Sequence, residues 1–438
     1  MTGGRVLAAV LFAAGLIGSL VTGAALYSRI LYLGILLVLS ALLWTRLSLV
    51  GLTVHRRARL QKASVGDVFE EYFEVVNNSR FLSYSVVVEN QSSMPGASGS
   101  RLLTRIGGSR SRSYIARTWL TRRGRFLLGP TLLTTGDPFG IFRAARQFSS
   151  SEAVVVLPML FEVSDFPTPP GLLPGGQVIR RKSPDVTPHA SGVREYVHGD
   201  PLKRIHWPTT ARRGQLMVKE FEQDPRTEVW IFLDVQKAVH AERPHEVPEA
   251  RLDWLFGRKP KFTLPPSTLE YAISIAASLT HYYIGQKRAV GLVAAGRTYT
   301  SIPAEHSERQ ESKILETLAY LEAEGRLSLA GLAGAQAGQL PAGSSAVLVT
   351  PTTSSDLLVA VDDLQRRGLH PVVVHLAADT FGGKRGADML VRALTDRGVP
   401  VCSIHCDADL GQALSSFGAA RSAQEPRTWQ RPVLSHLT

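Results

Sequence analysis

Residues 229–234 read VWIFLD, a short apolar run that ends on a carboxylate. Similar apolar runs recur further along the chain, at 288–295, 345–350, 371–376 and 399–404. Apolar runs of about four to eight residues are typical of strands that are buried on both faces of a sheet. The five runs therefore predict the interior strands of one sheet, with 229–234 as its first strand.

Four stretches of helical character separate or follow these runs. They start near residues that favour a helix N-terminus, such as Ser, and each ends on Gly. The stretches are Ser267–Gly285, Ser307–Gly325, Ser354–Gly368 and Gly386–Gly398. Strands that alternate with helices predict an α/β doubly wound parallel sheet.

The segment before the first strand mixes many charges with a tight turn; residues 194–222 read REYVHGDPLKRIHWPTTARRGQLMVKEFE. Residues 193–197 alternate like a strand, and Asp200 followed by Pro201 predicts an N-cap with proline at the first helical position. The short helix should carry Trp207 in a core position and stop at or before Pro208. A second turn at 211–214 and a second strand at 216–222 should follow, with Arg194 and Arg212 in buried or half-buried charge pairs.

Composition shifts divide the rest of the chain. Residues 161–192 are rich in Pro and Gly and predict an extended linker. Residues 55–160 show strand-like alternation over 67–92, broken by the turn signal Asn77-Asn78-Ser79, and predict a β-sandwich domain containing a hairpin at that turn. The predicted organisation is a transmembrane hairpin at 1–54, the β-sandwich at 55–160, the linker, an α/β domain at 193–418 and a loose tail at 419–438.

The N-terminus predicts membrane insertion. Val6–Ser28 has no charged residue, and Ile30–Val54 is interrupted only by Arg46, so each run is about long enough to cross a ~30 Å hydrocarbon core. Basic residues follow the second run, at His55, Arg56, Arg57, Arg59 and Lys62, and Arg5 precedes the first. The positive-inside rule then places both ends in the cytoplasm, with the protein in the inner membrane. A cleaved signal peptide is the alternative, although the apolar stretch is longer than usual for one.

The cysteine content bears on disulfide bonding, and the distribution of charge bears on the class of binding partner. The chain has 438 residues, a formal net charge of +12 and two cysteines, so it predicts no disulfide framework. Ten arginines and a single acidic residue, Asp137, lie between Arg101 and Arg146. Nucleic acid is disfavoured because interleaved aromatic residues for base stacking are missing. Anionic lipid headgroups are the favoured partner of this region.

The segment at 194–222 resembles the signature of the family known as domain of unknown function 58. LTRRGRFLLGPTLLTTGDPFGIFR at 120–143 is similar to further segments of that family. The matching positions of the signature are Arg194, Glu195, Tyr196, Gly199, Asp200, Arg204, Ile205, Trp207, Ala211, Arg212, Gly214, Lys219 and Glu220. The resemblance leaves open whether they are structural or form an interaction site.

The resemblance implies a von Willebrand factor type A-like α/β domain, and an association with MoxR-type AAA+ ATPases. Such domains often hold Mg²⁺ through an Asp and two Ser at the end of the first strand and further oxygen ligands in later loops. Here Asp234 matches the Asp, but Gln236 and Ala238 replace both Ser, and Pro351 stands where an Asp usually follows the Thr at 350. The degenerate site at Asp234 therefore predicts no metal, and no cofactor is predicted.

Other combinations of residues allow alternatives. Glu195, His198, Asp200 and His206 carry side chains found in metal sites and nucleases, but a turn and an N-cap account for Asp200. Cys402, His405 and Cys406 suggest zinc, but on one alternating strand they would point to two faces, which favours core thiols. The connection at 236–266 is far longer than usual and is either a docking loop or a tolerated insertion.

No nucleophile or nucleotide-binding motif is recognisable. The sequence thus predicts a non-enzymatic, membrane-anchored interaction or scaffold protein that presents its α/β domain to a protein partner, plausibly a MoxR-type AAA+ ATPase or an envelope-assembly system. The alternative is a hydrolase or nucleic-acid-acting enzyme centred on Glu195, His198 and Asp200.

Overall fold

A computed structural model describes residues 3–167, 190–197, 205–221, 228–245 and 262–424. The chain divides into two compact units. One unit contains the N-terminal helices and the β domain, and the other contains the α/β region.

The chain begins with two antiparallel apolar helices, α1 at Gly3–Thr22 and α2 at Ala25–Leu49. Both are long and apolar enough to span a membrane, and most of their side chains are exposed, unlike those of a helix in a soluble core. The two predicted apolar runs are therefore helical, but their bounds differ. The second helix ends at Leu49 because the chain enters a strand at Leu52, so Val54 belongs to the β domain.

Ten strands in three sheets follow. In chain order they are β1 Leu52–Ala58, β2 Lys62–Ser64, β3 Val68–Asn77, β4 Ser83–Asn90, β5 Arg101–Ile106, β6 Arg110–Trp119, β7 Gly124–Leu127, β8 Thr131–Gly136, β9 Arg143–Phe148 and β10 Ala153–Leu157. The sheets have the orders β1-β3-β6, β2-β10-β7 and β5-β4-β8-β9. Phe73 and Val75 of the first sheet share a buried core with Val86 and Val88 of the third. This packing of two sheets is the expected sandwich.

The hairpin predicted at Asn77-Asn78-Ser79 is wrong, because β3 and β4 belong to different sheets. The buried Asn77 amide donates to the backbone oxygens of Phe81 and Ile106, at 2.8 and 3.1 Å. The turn residues therefore form a crossover between sheets, held by one buried side chain.

The α/β unit contains a six-stranded sheet. Its strands are β13 Val229–Leu233, β14 Val290–Ala295, β15 Tyr299–Glu305, β16 Ser345–Thr350, β17 His370–Leu376 and β18 Val401–Ile404. The order is β15-β14-β13-β16-β17-β18, with β15 antiparallel and the other five parallel. All five predicted strands are present, whereas the sequence did not predict β15. Its alternating burial shows a half-exposed edge strand without a continuous apolar run.

Helices cover this sheet. They are α4 Thr268–Gly285, α5 Glu308–Tyr320, α6 Leu329–Ala337, α7 Asp356–Arg366, α8 Ala387–Asp396 and α9 Leu410–Gln424. The four predicted helices correspond to α4, α5, α7 and α8. The short α6 was not predicted, and α9 extends into the predicted loose tail, so 419–424 are helical.

The beginning of the predicted linker is packed. Phe166 is fully buried and meets Tyr283 of α4 edge-to-face, with ring centroids 6.3 Å apart. The Tyr283 hydroxyl donates to the Pro167 oxygen at 2.8 Å. Residues 161–167 thus belong to the α/β unit, and the Pro/Gly-rich part at 168–189 lies outside the described residues.

Candidate functional site

The main candidate site is a pocket at the carboxyl edge of the α/β sheet. The strand that follows β13 along the chain, β14, lies on one side of it, whereas β16 lies on its other side. The strand order therefore changes direction at β13. Ligands of doubly wound folds collect at such a switch point, outside the carboxyl ends of the strands. A pocket of about 260 Å³ lies there. Its lining comes from the segments after β13, β16 and β17 and from the starts of α6 and α7, and includes Gln236, Ala238, Ser328, Pro351, Ser354, Asp356 and Lys384.

Asp234 follows β13 and is almost fully buried beside this pocket. Its carboxylate accepts the Thr350 hydroxyl at 2.7 Å and the Gln236 backbone N–H at 3.0 Å. Burial raises the pKa of Asp234, and the two hydrogen bonds oppose that rise. The hydrogen bond between Thr350 and Asp234 therefore links the carboxyl ends of β13 and β16.

Hydrogen bonds also shape the loop after β16. Thr350 Oγ1 accepts the Thr352 N–H at 3.0 Å, and His375 Nε2 donates to the Thr352 oxygen at 2.9 Å. His375 is fully buried, and burial lowers its pKa, which favours a neutral ring. The loop is thus tied to both β16 and β17 before any ligand arrives.

Hydrogen bonds also fix the first part of the long 236–266 connection. His240 Nε2 lies 2.9 Å from the backbone carbonyl oxygen of Asp234, and its Nδ1 lies 3.0 Å from Thr268 Oγ1 at the start of α4. Gln236 forms a parallel bridge with Gly325. Residues 236–241 are therefore a fixed wall of the site, while 246–261 lie outside the described residues.

The three positions that depart from the metal-binding pattern converge here, since Gln236, Ala238 and Pro351 all line the pocket. Among the described residues, no three His, Cys, Asp or Glu side chains cluster in a way that could hold a metal. The pocket's charged groups are Lys384 and Asp356, and its other polar atoms belong to hydroxyls and an amide. These groups can form hydrogen bonds and single ion pairs with a ligand.

The signature segment forms a separate antiparallel pair, β11 Ala190–Glu195 with β12 Met217–Phe221. Both predicted strands are therefore present. Arg194, Lys219 and Glu220 lie on these strands, while Gly199, Asp200 and Arg204 lie outside the described residues, as does His198. Glu195 is exposed at the end of its strand and Tyr196 is half-buried.

The helix of this segment differs from the predicted one. It is α3, Trp207–Arg213, so it starts where the predicted helix was to end, with Pro208 in its first turn. Proline is favoured there because the first turn has no intrahelical use for its missing N–H. Ala211 and Arg212 are helical rather than part of a turn, and Gly214 ends the helix in the left-handed conformation, at φ 67°.

Two predicted burials in the signature are wrong. Trp207 is 64% exposed, and Arg212 is exposed as well. The buried apolar residues are instead Ile205, Met217 and Val218, where Ile205 bridges to Val218. Ile205 and His206 are not helical, so Trp207 begins the helix instead of ending one, while residues 198–204 lie outside the described residues.

The remaining candidate groups that lie among the described residues are His206 and the two cysteines. His206 precedes α3, and its Nδ1 lies 2.7 Å from Thr209 Oγ1. Cys402 is buried within β18, which raises its pKa to about 12, whereas Cys406 lies beyond the strand and is half-buried. The core-thiol interpretation therefore holds for Cys402 alone.

Comparison with known proteins gives a family match over one short segment and no activity. Residues 192–242 match the family described as "Protein of unknown function DUF58". Over 242 residues the chain is 23% identical to the uncharacterized protein YeaD of Bacillus subtilis. This alignment covers 54% of this chain and 52% of YeaD. It is 27% identical over 197 residues to the uncharacterized protein Rv1480 of Mycobacterium tuberculosis, with 45% of each chain covered. The chain thus spans about half the length of the curated relatives it matches.

Proposed function

We propose that the protein is a non-enzymatic, membrane-anchored interaction protein whose α/β region binds a protein partner at the carboxyl edge of its sheet. The observation that carries the proposal is the pocket described above. The Asp234 carboxylate beside it already accepts hydrogen bonds from the Thr350 hydroxyl and the Gln236 N–H. The site offers hydrogen bonds, one cation and one carboxylate for recognition. A von Willebrand factor type A-like domain lacking its metal ligands would have this form.

Anchoring is the second part of the proposal. Exposed apolar side chains cover α1 and α2, and burying that surface in lipid removes a large apolar area from water. Tyr27 and Trp44 lie near opposite ends of α2, about 26 Å apart at 1.5 Å per residue, as expected for aromatic residues at two membrane interfaces. We propose that the soluble regions face the cytoplasm of a bacterial inner membrane, where a MoxR-type AAA+ ATPase is a suitable partner.

Site-specific photo-crosslinking in native membranes tests the pocket. A photo-crosslinkable amino acid at Ala238, which is exposed and lines the pocket, should capture a discrete partner. The same amino acid at Gln365, exposed at the other end of α7, is the matched control. Lys384→Glu should abolish capture at Ala238. Equal capture at both positions, or capture that ignores Lys384→Glu, would contradict the proposal.

A further inference from the structure

One end of the β-sandwich lies beside the helical hairpin. At this end β1 begins after α2, and three connections meet: β3–β4 at 78–82, β5–β6 at 107–109 and β8–β9 at 137–142. We call it the hairpin-proximal end. The Ser109 N–H donates to the Ser79 oxygen at 3.0 Å, which joins the first two connections.

The β8–β9 connection is packed directly against the helices. Arg5 Nε of α1 donates to the Ile141 oxygen at 2.8 Å, and Ile141 is buried with Ala8 and Ala41. At Gly4 a Cβ atom would lie 1.7 Å from the Phe139 oxygen, so the close approach requires glycine. The hairpin-proximal end is therefore held next to α1 and α2.

The β8–β9 connection is also rigid in itself. The buried Asp137 carboxylate accepts the backbone N–H groups of Phe139 and Phe142, at 2.8 and 2.5 Å. These bonds hold the loop in a shape that leaves the Phe139 ring 50% exposed. An exposed ring of this kind indicates an interaction surface when further exposed apolar side chains lie beside it.

Further apolar side chains are exposed at the same end, namely Val50, Phe81 and Leu82. Four exposed arginines accompany them: Arg80, Arg105, Arg110 and Arg143. None of the four has an ion pair with a carboxylate of the described chain. Across 77–83, 106–110 and 136–143 the only acidic residue is Asp137, whose oxygens already accept backbone N–H groups. The surface is thus apolar and cationic, without accessible negative charge.

We propose that the hairpin-proximal end is a lipid-binding surface that sits in the headgroup layer of an anionic membrane leaflet. Phe81, Leu82 and Phe139 enter the boundary of the acyl chains, and the four arginines bind lipid phosphates. Lipid is favoured over a protein occupant because the surface is continuous with two helices that themselves need lipid. The proposal rests on the membrane anchoring proposed above, and it adds that the β domain lies on the leaflet in one orientation.

Depth-dependent fluorescence tests this surface in the full-length protein. Cys402→Ala and Cys406→Ser provide a background without other thiols, in which Phe139→Cys, Leu36→Cys and Leu60→Cys are each labelled with an environment-sensitive dye. Leu36 is exposed in the middle of α2, and Leu60 is exposed at the opposite end of the sandwich. The protein is reconstituted in vesicles of phosphatidylcholine mixed with phosphatidylglycerol, with or without a lipid that carries a spin-label quencher.

The dyes at Leu36 and Phe139 should emit at shorter wavelength and be quenched by the lipid-borne quencher, while the dye at Leu60 should be unaffected. Quenching at Leu36 but not at Phe139 would overturn the lipid-binding surface and leave the anchor intact. A blue-shifted but unquenched dye at Phe139 would assign the surface to a protein contact, and would also overturn it. Absence of quenching at Leu36 would overturn the anchor itself, and the surface with it.

The arginines are tested by lipid charge. Quenching at Phe139 should decrease in vesicles of phosphatidylcholine alone, and Arg80→Gln with Arg143→Gln should produce the same loss in anionic vesicles. Arg125→Gln, an exposed arginine on β7 away from the hairpin-proximal end, is the control and should change nothing. Quenching that is indifferent to lipid charge and to both arginines would show that they do not bind lipid phosphate, and would overturn the proposal.

Discussion

Arg56 shows how the tertiary environment changes the role of a single residue. In the sequence it belongs to a basic cluster, but in the structure its side chain is 5% exposed and pairs with the 1% exposed Glu71 at 2.6 Å. The Arg56 guanidinium also lies 4.9 Å from the centroid of the Phe73 ring. It therefore stabilises the β domain and is not available to lipid headgroups.

Arg56→Ala should destabilise the protein by about 3 to 5 kcal/mol, because it strands a buried carboxylate. Burial already raises the pKa of Glu71 and Arg56 opposes this, so loss of Arg56 should raise it further. Stability conferred by a raised carboxyl pKa is present in acid and lost as the pH rises, so the deficit should grow from acid toward neutral pH. Thermal unfolding in detergent across this pH range measures it. The control is Arg56→Met with Glu71→Leu, which should recover most of the loss; a deficit that persists there would contradict the ion-pair explanation.

Thr350 should matter through its hydroxyl. Thr350→Val removes the donor to the buried Asp234 carboxylate and should cost about 1.5 to 3 kcal/mol in unfolding free energy. Thr350→Ser keeps the donor and should recover most of that stability. Chemical denaturation of the two variants compares them directly, and a Thr350→Ser loss as large as that of Thr350→Val would contradict the role of the hydroxyl.

Metal binding at Asp234 should be weak or absent. Two hydroxyl ligands and the second carboxylate of the metal-binding pattern are replaced, and the Asp234 oxygens already accept two hydrogen bonds. Calorimetric titration with Mg²⁺ and Ca²⁺ should detect no tight binding. A dissociation constant in the low micromolar range that disappears in Asp234→Ala would show that another group completes the site.

At the scale of the element, α3 illustrates how local rules compete. Asp200-Pro201 and Trp207-Pro208 both resemble a helix start, and the described helix uses the second. Gly214 ends it in the left-handed region, with open space around the position that a Cβ would take. Its role is therefore conformational, with no packing contact at that point.

Gly214→Ala should cost about 1 to 2 kcal/mol, because a non-glycine residue is disfavoured in the left-handed region. Trp207→Ala, on the same helix, should change stability by no more than about 0.5 kcal/mol, since the ring is largely exposed. Thermal unfolding of both variants tests this order. A large loss for Trp207→Ala would restore the predicted core role of that residue.

At the scale of the whole molecule, the proposed topology exposes very little of the protein on the external side of the membrane. Only Gly23 and Ala24 separate α1 from α2, and the β domain lies at the opposite end of the hairpin. Protease added to intact cells should leave the protein undigested, whereas in inverted membrane vesicles the β domain should be cleaved. Cleavage of the β domain in intact cells would reverse the topology and exclude a cytoplasmic partner.

Periodicity and composition alone predicted the alternating strands and helices of the α/β region and the apolar N-terminal helices. These features are local: a fully buried strand needs a continuous apolar run, and a helix exposed to lipid needs an uncharged one. The residues that match the family signature were also recognisable in the sequence, but the exposure of Trp207 and Arg212 was not.

Only the tertiary structure decided which segments became neighbours. It separated β3 from β4 into two sheets through the buried Asn77, and placed Gln236, Ala238 and Pro351 in one pocket. It also buried Arg56 while leaving Trp207 exposed. The physical reason is that residue type sets the cost of burial, whereas the partner that offsets this cost is distant in sequence, as Glu71 is for Arg56 and Thr350 is for Asp234.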